Sequence, residues 1–98
     1  MHPAGAIGFE WDDSNEEHLA RHRIEPWEVE EVFDNQPVWL PNKASGSGDW
    51  LMVGHTNGNR PLSIVVQVIE ETEELRAFTG WASTPRERDI YRRQRGRR

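Results

Sequence analysis

The apolar and polar positions of this 98-residue chain change rhythm near residue 36. Before it they follow a helical period; after it they alternate. Ala6 to Trp11 reads as a short first strand ending in the Asp12-Asp13 turn. Ser14, with Glu17 three residues later, has the form of a capping box and predicts a helix over 15–23. A second helix starts at Pro26, since proline fits the first helical position. Ile24 and Val29 form a hydrophobic staple around that start, and Val29, Val32 and Phe33 give the buried stripe of a helix ending near Asp34. Glu28, Glu30 and Glu31 fall on its wet face.

Beyond residue 36 the period is two. Pro37 to Leu40 reads as a strand, placed at a sheet edge because proline cannot donate to a central ladder. Lys43 to Gly48 is a flexible loop. Trp50 to Thr56 and Arg60 to Ile69 form a hairpin about Asn57-Gly58, a type I′ turn signal. Leu62 to Ile69 is apolar at nearly every position, as in a central strand covered on both faces. Glu70 to Glu74 is an acidic turn, and Leu75 to Ala82 is the last strand. Thr84-Pro85-Arg86-Glu87 opens a final helix over 85–95, with threonine as cap, proline first and glutamate third. The order β-α-α-β-β-β-β-α predicts one α+β domain, with helices packed on an antiparallel sheet. Residues 1–6 are expected as a mobile leader and 96–98 as a frayed arginine tail.

Composition narrows the function. The chain has no cysteine, which removes disulfides, thiol nucleophiles and cysteine metal sites. No apolar run approaches the ~20 residues of a membrane span, and the first residues lack the pattern of a secretory signal. A cytoplasmic protein with no membrane association is expected. The net charge of −5 is unevenly spread: residues 1–85 carry −10, and residues 86–98, with 7 Arg against Glu87 and Asp89, carry +5. Such asymmetry points to a partner.

Three constellations carry candidate chemistry. In a two-residue turn His55 faces Arg60 on the neighbouring strand, at the border of an apolar face. That pair suits acid–base work on a phosphodiester, or is a plain surface pair. His18 and His22 share a helix face, but no third ligand has metal-site spacing, so no metal and no cofactor are expected. On the last helix Arg88, Arg92 and Arg95 form a stripe beside Tyr91, extended by Arg86 and Arg93. Arginines with an aromatic hold phosphates and stack a base, dock an acidic protein, or pair with the acidic helices of the same chain.

Several of these residues also form a family pattern. Phe9-Glu10-Trp11-Asp12, Asn15, Arg21-His22, Ile24 and the run Glu28 to Phe33 resemble the start of BrnT-type toxins of bacterial type II toxin–antitoxin systems. Trp50 to Thr56 and the Gly58-Asn59-Arg60 turn match more loosely. Arg76, Thr79 and Thr84-Pro85-Arg86-Glu87-Arg88 with Tyr91 resemble the family's closing Thr-x-x-Glu-Arg-x-x-Tyr. Arg21 stands where the family usually has lysine, and Trp81 and Ala82 stand where it commonly has an Arg-Lys pair.

The resemblance implies a RelE-like fold and a ribonuclease toxin that blocks translation. It implies neutralisation by a small cognate antitoxin, and a complex, possible as a homodimer of pairs, that binds its own promoter DNA. The matching mechanism is metal-independent transfer of an RNA phosphodiester to its own 2′-hydroxyl. It needs a proton carrier, here His55 or His22, charge stabilisers, here Arg60, Arg76 and Arg88, and Tyr91 to stack or hydrogen-bond. Arg21, Arg86, Arg92 and Arg95 would bind RNA or partner. The alternative is a catalytically inactive, toxin-like binding module, which the Trp81-Ala82 departure favours.

Overall fold

A computed structural model describes residues 1–42 and 49–95. A 3-10 turn (Pro3–Gly5) leads into β1 (Gly8–Phe9), α1 (Asp13–Ala20) and α2 (Pro26–Asp34). Then follow β2 (Val38–Pro41), β3 (Trp50–His55), β4 (Pro61–Ile69), β5 (Glu74–Ala82) and α3 (Pro85–Arg95). Strands and helices thus follow the α+β order read from the sequence. The Lys43–Gly48 loop and the 96–98 tail lie outside the described residues.

The five strands lie in the order β1-β5-β4-β3-β2. β2 to β5 form an antiparallel meander, with the proline-flanked β2 at one edge. β1 runs parallel to β5, so the sheet is mixed and not wholly antiparallel. The cause is the path of the chain. The α1–α2 segment carries it across one face to the far edge, and the meander returns β5 alongside β1 in the same direction. Leu19, Ile24, Val29 and Val32 from the helical side close over Met52, Leu62, Ile64, Val66, Leu75 and Ala77 of the sheet, all fully or almost fully buried. Phe9, Phe33 and Trp39 extend this core as an edge-on aromatic chain.

Local details differ from the sequence reading in four places. The cap of α1 is Asp12, not Ser14: its carboxylate accepts from Asn15 N, while Asn15 Oδ1 accepts from Asp12 N. Asn15 is itself buried and donates to the Glu10 carbonyl, which fixes the earlier start. The acidic face of α2 is not simply solvated. Glu28 is buried and Glu31 grips the hairpin loop through Asn57 N and Nδ2.

Residues 1–6, expected as a mobile leader, are mostly exposed but make specific contacts: Pro3 is buried, the His2 ring lies 4.9 Å from that of Trp50, and the terminal amine pairs with Glu70 at 2.7 Å. Finally, the β3–β4 loop is one residue longer than a type I′ turn. Thr56 N donates to the Arg60 carbonyl and Asn59 N to the Thr56 carbonyl, with Asn59 left-handed at φ 66°. A turn closed by a left-handed residue is the usual three-residue hairpin, and asparagine tolerates that conformation. His55 therefore faces Pro61, not Arg60.

A bulge in β5 sets the opposite face. Val65 pairs with Thr79 and Val66 with Ala77, leaving Phe78 extra. Leu75 and Ala77 face the core before it, and Gly80 after it: a Cβ on Gly80 would stand 2.6 Å from Ile64 Cδ1. Trp81 is thereby turned to the other face, where α3 packs. Among the described residues no helix is long and apolar enough to cross a membrane.

Candidate functional site

α3 is fastened to the sheet by one carboxylate. Thr84 and Glu87 form the expected capping box, with Thr84 N donating to Glu87 Oε1 at 2.9 Å and Glu87 N to Thr84 Oγ1 at 3.2 Å. The same Oε1 also accepts from Ser63 Oγ at 2.8 Å and Trp81 Nε1 at 3.0 Å. The single Ser63 proton is spent on Glu87, so Ser83, 2.8 Å away, donates to Ser63. Burial pushes the Glu87 carboxyl up, but the donors from Thr84, Trp81 and Ser63 outweigh it and hold the group below the usual glutamate range. Trp81 thus anchors the helix to the sheet.

With its first turn fixed, α3 lays Tyr91 against the end of β3. The Tyr91 and His55 rings meet at 4.8 Å, inclined by 66°. His55 is held from behind by Asn35, whose Nδ2 donates to the His55 carbonyl at 3.0 Å and to Asn57 Oδ1 at 2.9 Å. Burial lowers the His55 pKa from 6.5, so its imidazole is predominantly neutral at pH 7. The Arg95 guanidinium lies 5.8 Å from the Tyr91 ring centroid, a cation–π distance. Its Nη1 donates to the carbonyl and Oε1 of Gln36 at 3.3 and 3.2 Å. His55, Tyr91 and Arg95 therefore form one continuous cluster: a neutral base, a phenol and an oriented cation.

Beside it opens a groove of about 770 Å³ between α2, β2 and α3. Phe33, Trp39 and His2 wall it, and Asp34, Gln36 and Arg95 stand among its polar lining. Asn35, Gln36 and these aromatic walls are the part of the site that sequence reasoning missed. Gln36 takes the left-handed conformation just past α2, at φ 58°, which a glutamine does not signal, and its approach to Arg95 depends on α3 packing nearby.

The other candidates are placed apart from this cluster. The one-residue register change puts Arg60 and His55 on opposite faces. Arg60 Nη1 donates to both oxygens of Glu28, at 2.9 and 3.0 Å, and to the Arg23 carbonyl at 2.8 Å. Arg76 is paired with Asp12 at 2.7 Å and Glu10 at 3.2 Å. Its hydrogen bond to Asp12 leads the effects that hold that carboxyl below the usual aspartate range. Arg21 and His22 are exposed at the end of α1, with no side-chain partner among the described residues. Arg86 and Arg88 are exposed on α3 and equally unpaired among the described residues. Arg92 and Arg93 both lean on Asp89, at 3.7 and 3.0 Å. Among the described residues no group of three or more His, Asp or Glu is placed to hold a metal ion.

Comparison with protein-family models, curated proteins and solved structures finds no match to this chain.

Proposed function

We propose that this chain is a BrnT-type, RelE-like ribonuclease toxin of a type II toxin–antitoxin pair, acting on RNA in the cytoplasm. The observation that carries the reading is the His55–Tyr91–Arg95 cluster, because it brings together what phosphodiester transfer needs. Neutral His55 accepts the proton of a 2′-hydroxyl as its oxygen attacks phosphorus. The bond to the 5′-oxygen breaks, that oxygen takes a proton back from the imidazolium, and a 2′,3′-cyclic phosphate and a 5′-hydroxyl result. Arg95, with the unpaired Arg88 on the same helix, offsets the charge that builds on the phosphate oxygens. Tyr91 supports the His55 ring and offers a stacking surface and a hydroxyl. The resemblance supports the reading at the same place, since Thr84, Glu87, Arg88 and Tyr91 are the residues of the closing family pattern. A small antitoxin that neutralises the toxin, dimerisation of the complex and promoter DNA binding through that antitoxin belong to the same proposal.

A second reading, a binding module without cleavage, has its own support. Arg60 and Arg76 are spent on Glu28, Asp12 and Glu10, and Trp81 on Glu87. Induced expression in a bacterial host separates the two. Growth arrest that is relieved by the neighbouring reading frame and abolished by His55→Ala supports the toxin. Unchanged growth on expression of the intact chain favours the binding module.

A further inference from the structure

The groove next to the cluster carries aromatic walls and a carboxylate that the cleavage step leaves unused, beside the Arg95 it shares with that step. Its aromatic walls meet edge-on, with Phe33 and Trp39 centroids 6.2 Å apart at 73° and His2 and Trp39 also 6.2 Å apart at 83°. Asp34 and Arg95 both line it, yet no ion pair joins them, and Asp34 has no hydrogen-bond partner among the described residues. Arg95 spends only Nη1 on Gln36, which orients the guanidinium and leaves Nη2 and Nε for an anion. The volume of about 770 Å³ falls within the range of small-ligand sites.

We propose that this groove is a nucleotide subsite with a preference for guanine. The base lies against Phe33 and Trp39, its N1–H and N2–H edge is read by the Asp34 carboxylate, and its phosphate is held by Arg95. The proposal rests on the RNA reading of the same site and deepens it, because Arg95 also touches Tyr91 and so joins the subsite to the cluster around His55. The groove asks for three things of one ligand: a planar π-face, a neutral donor edge and an anion. A nucleotide supplies all three. An acidic peptide would meet Arg95 but be repelled by Asp34. Among the bases, guanine alone aligns two N–H donors with the two oxygens of one carboxylate, the fork geometry of strong charge-assisted pairs. Uracil offers one ring N–H; adenine and cytosine offer none.

The test is titration of the full chain with GMP, UMP, AMP, CMP, guanosine and inorganic phosphate, read by the Trp39 indole N–H and the Gln94 side-chain amide in nitrogen–proton NMR spectra. GMP is expected to shift both signals and to bind about tenfold tighter than AMP or CMP, the worth of one charge-assisted hydrogen bond. Asp34→Asn should erase that preference while other tryptophan indoles stay unmoved, and Arg95→Gln should reduce GMP to the affinity of guanosine. Equal shifts from all four nucleotides, from phosphate alone, or from none would overturn the subsite, as would a preference that survives Asp34→Asn. The parent reading fails separately: GMP bound in the groove of a protein that cleaves no RNA leaves the subsite standing and removes the nuclease. RNA cleavage with a base preference that Asp34→Asn does not change has the opposite meaning.

Discussion

At the scale of single residues, His55 and Arg60, which their spacing pairs, are parted by the register of the hairpin. His55 carries the candidate chemistry, while Arg60 is a structural cation that neutralises Glu28, 10 % exposed, at the start of α2. Glu28 also accepts from Glu25 N at 3.0 Å, so removing Arg60 leaves a largely buried carboxylate with one partner fewer. Arg60→Ala should cost about 2 kcal/mol, between the values for exposed and buried pairs because Arg60 is partly solvated, and urea unfolding measures it. The double variant Arg60→Leu/Glu28→Gln should recover part of the loss, since no buried charge then lacks its counterion. His55 gives a pH dependence of known sign. Its folded pKa lies below 6.5, so the unfolded chain binds its proton more readily. Stability is unaffected well above that value and falls as pH drops through it toward the folded pKa. His55→Gln should flatten the fall between pH 7 and 5. Asp12 and Glu87 add a loss at lower pH, because their lowered carboxyls stabilise the fold above the ordinary carboxylate range and cease to do so as pH falls through their folded pKa values. Neither the histidine's neutral state nor its partner was legible in sequence, because Tyr91 lies 36 positions away and meets it only once α3 docks.

At the scale of elements, local signals worked where the chain makes its own hydrogen bonds. Pro26 and Asp34 bound α2, and Pro85 and Arg95 bound α3, where the sequence places them, because prolines and caps act within a turn or two. β4, the strand read as central from its apolar run, is the middle strand of the sheet. The failures occurred where a distant partner decides. The β3–β4 loop reads as type I′ from Asn57-Gly58 alone, but Glu31 and Asn35 hold Asn57 from α2, and Asn59 takes the left-handed position. Asn59→Gly should therefore keep the register and change stability by only a few tenths of a kcal/mol, whereas Asn59→Val should cost about 1–2 kcal/mol for a branched residue at positive φ. The parallel pairing of β1 was likewise invisible, since a two-residue strand carries no direction in its pattern. Glu87 is the residue by which α3 depends on the sheet. Glu87→Ala removes the carboxylate half of the capping box, leaves Trp81 Nε1 without its acceptor and leaves Ser63 Oγ with Ser83 alone, so a loss of about 2 kcal/mol is expected. The His55–Tyr91 contact should loosen with it, visible as a changed His55 ring shift in NMR spectra.

At the scale of the whole molecule, charge and topology together place the site. The sheet separates the two sides: α1 and α2, with much of the negative charge, cover one face, and the arginine-rich α3 packs toward the other, at β3 and β2. Arg60 on the acidic side is neutralised by Glu28, while Arg86 and Arg88 on α3 remain unpaired among the described residues. The net −5 therefore hides a local cationic strip beside a neutral histidine. RNA binding through about three of these arginines predicts a log–log salt slope near −2, at ~0.7 per phosphate on a single strand. A slope near zero would remove α3 from the RNA contact. Cleavage itself tests the role of His55 most directly. Purified chain is incubated with single-stranded RNA beside the His55→Ala variant, and the new ends are identified. The expected products carry 2′,3′-cyclic phosphate and 5′-hydroxyl ends, formed at least about 100-fold more slowly by His55→Ala, the usual worth of a positioned acid–base group. Cleavage by His55→Ala at the rate of the intact chain, or no cleavage by either protein, would contradict that role.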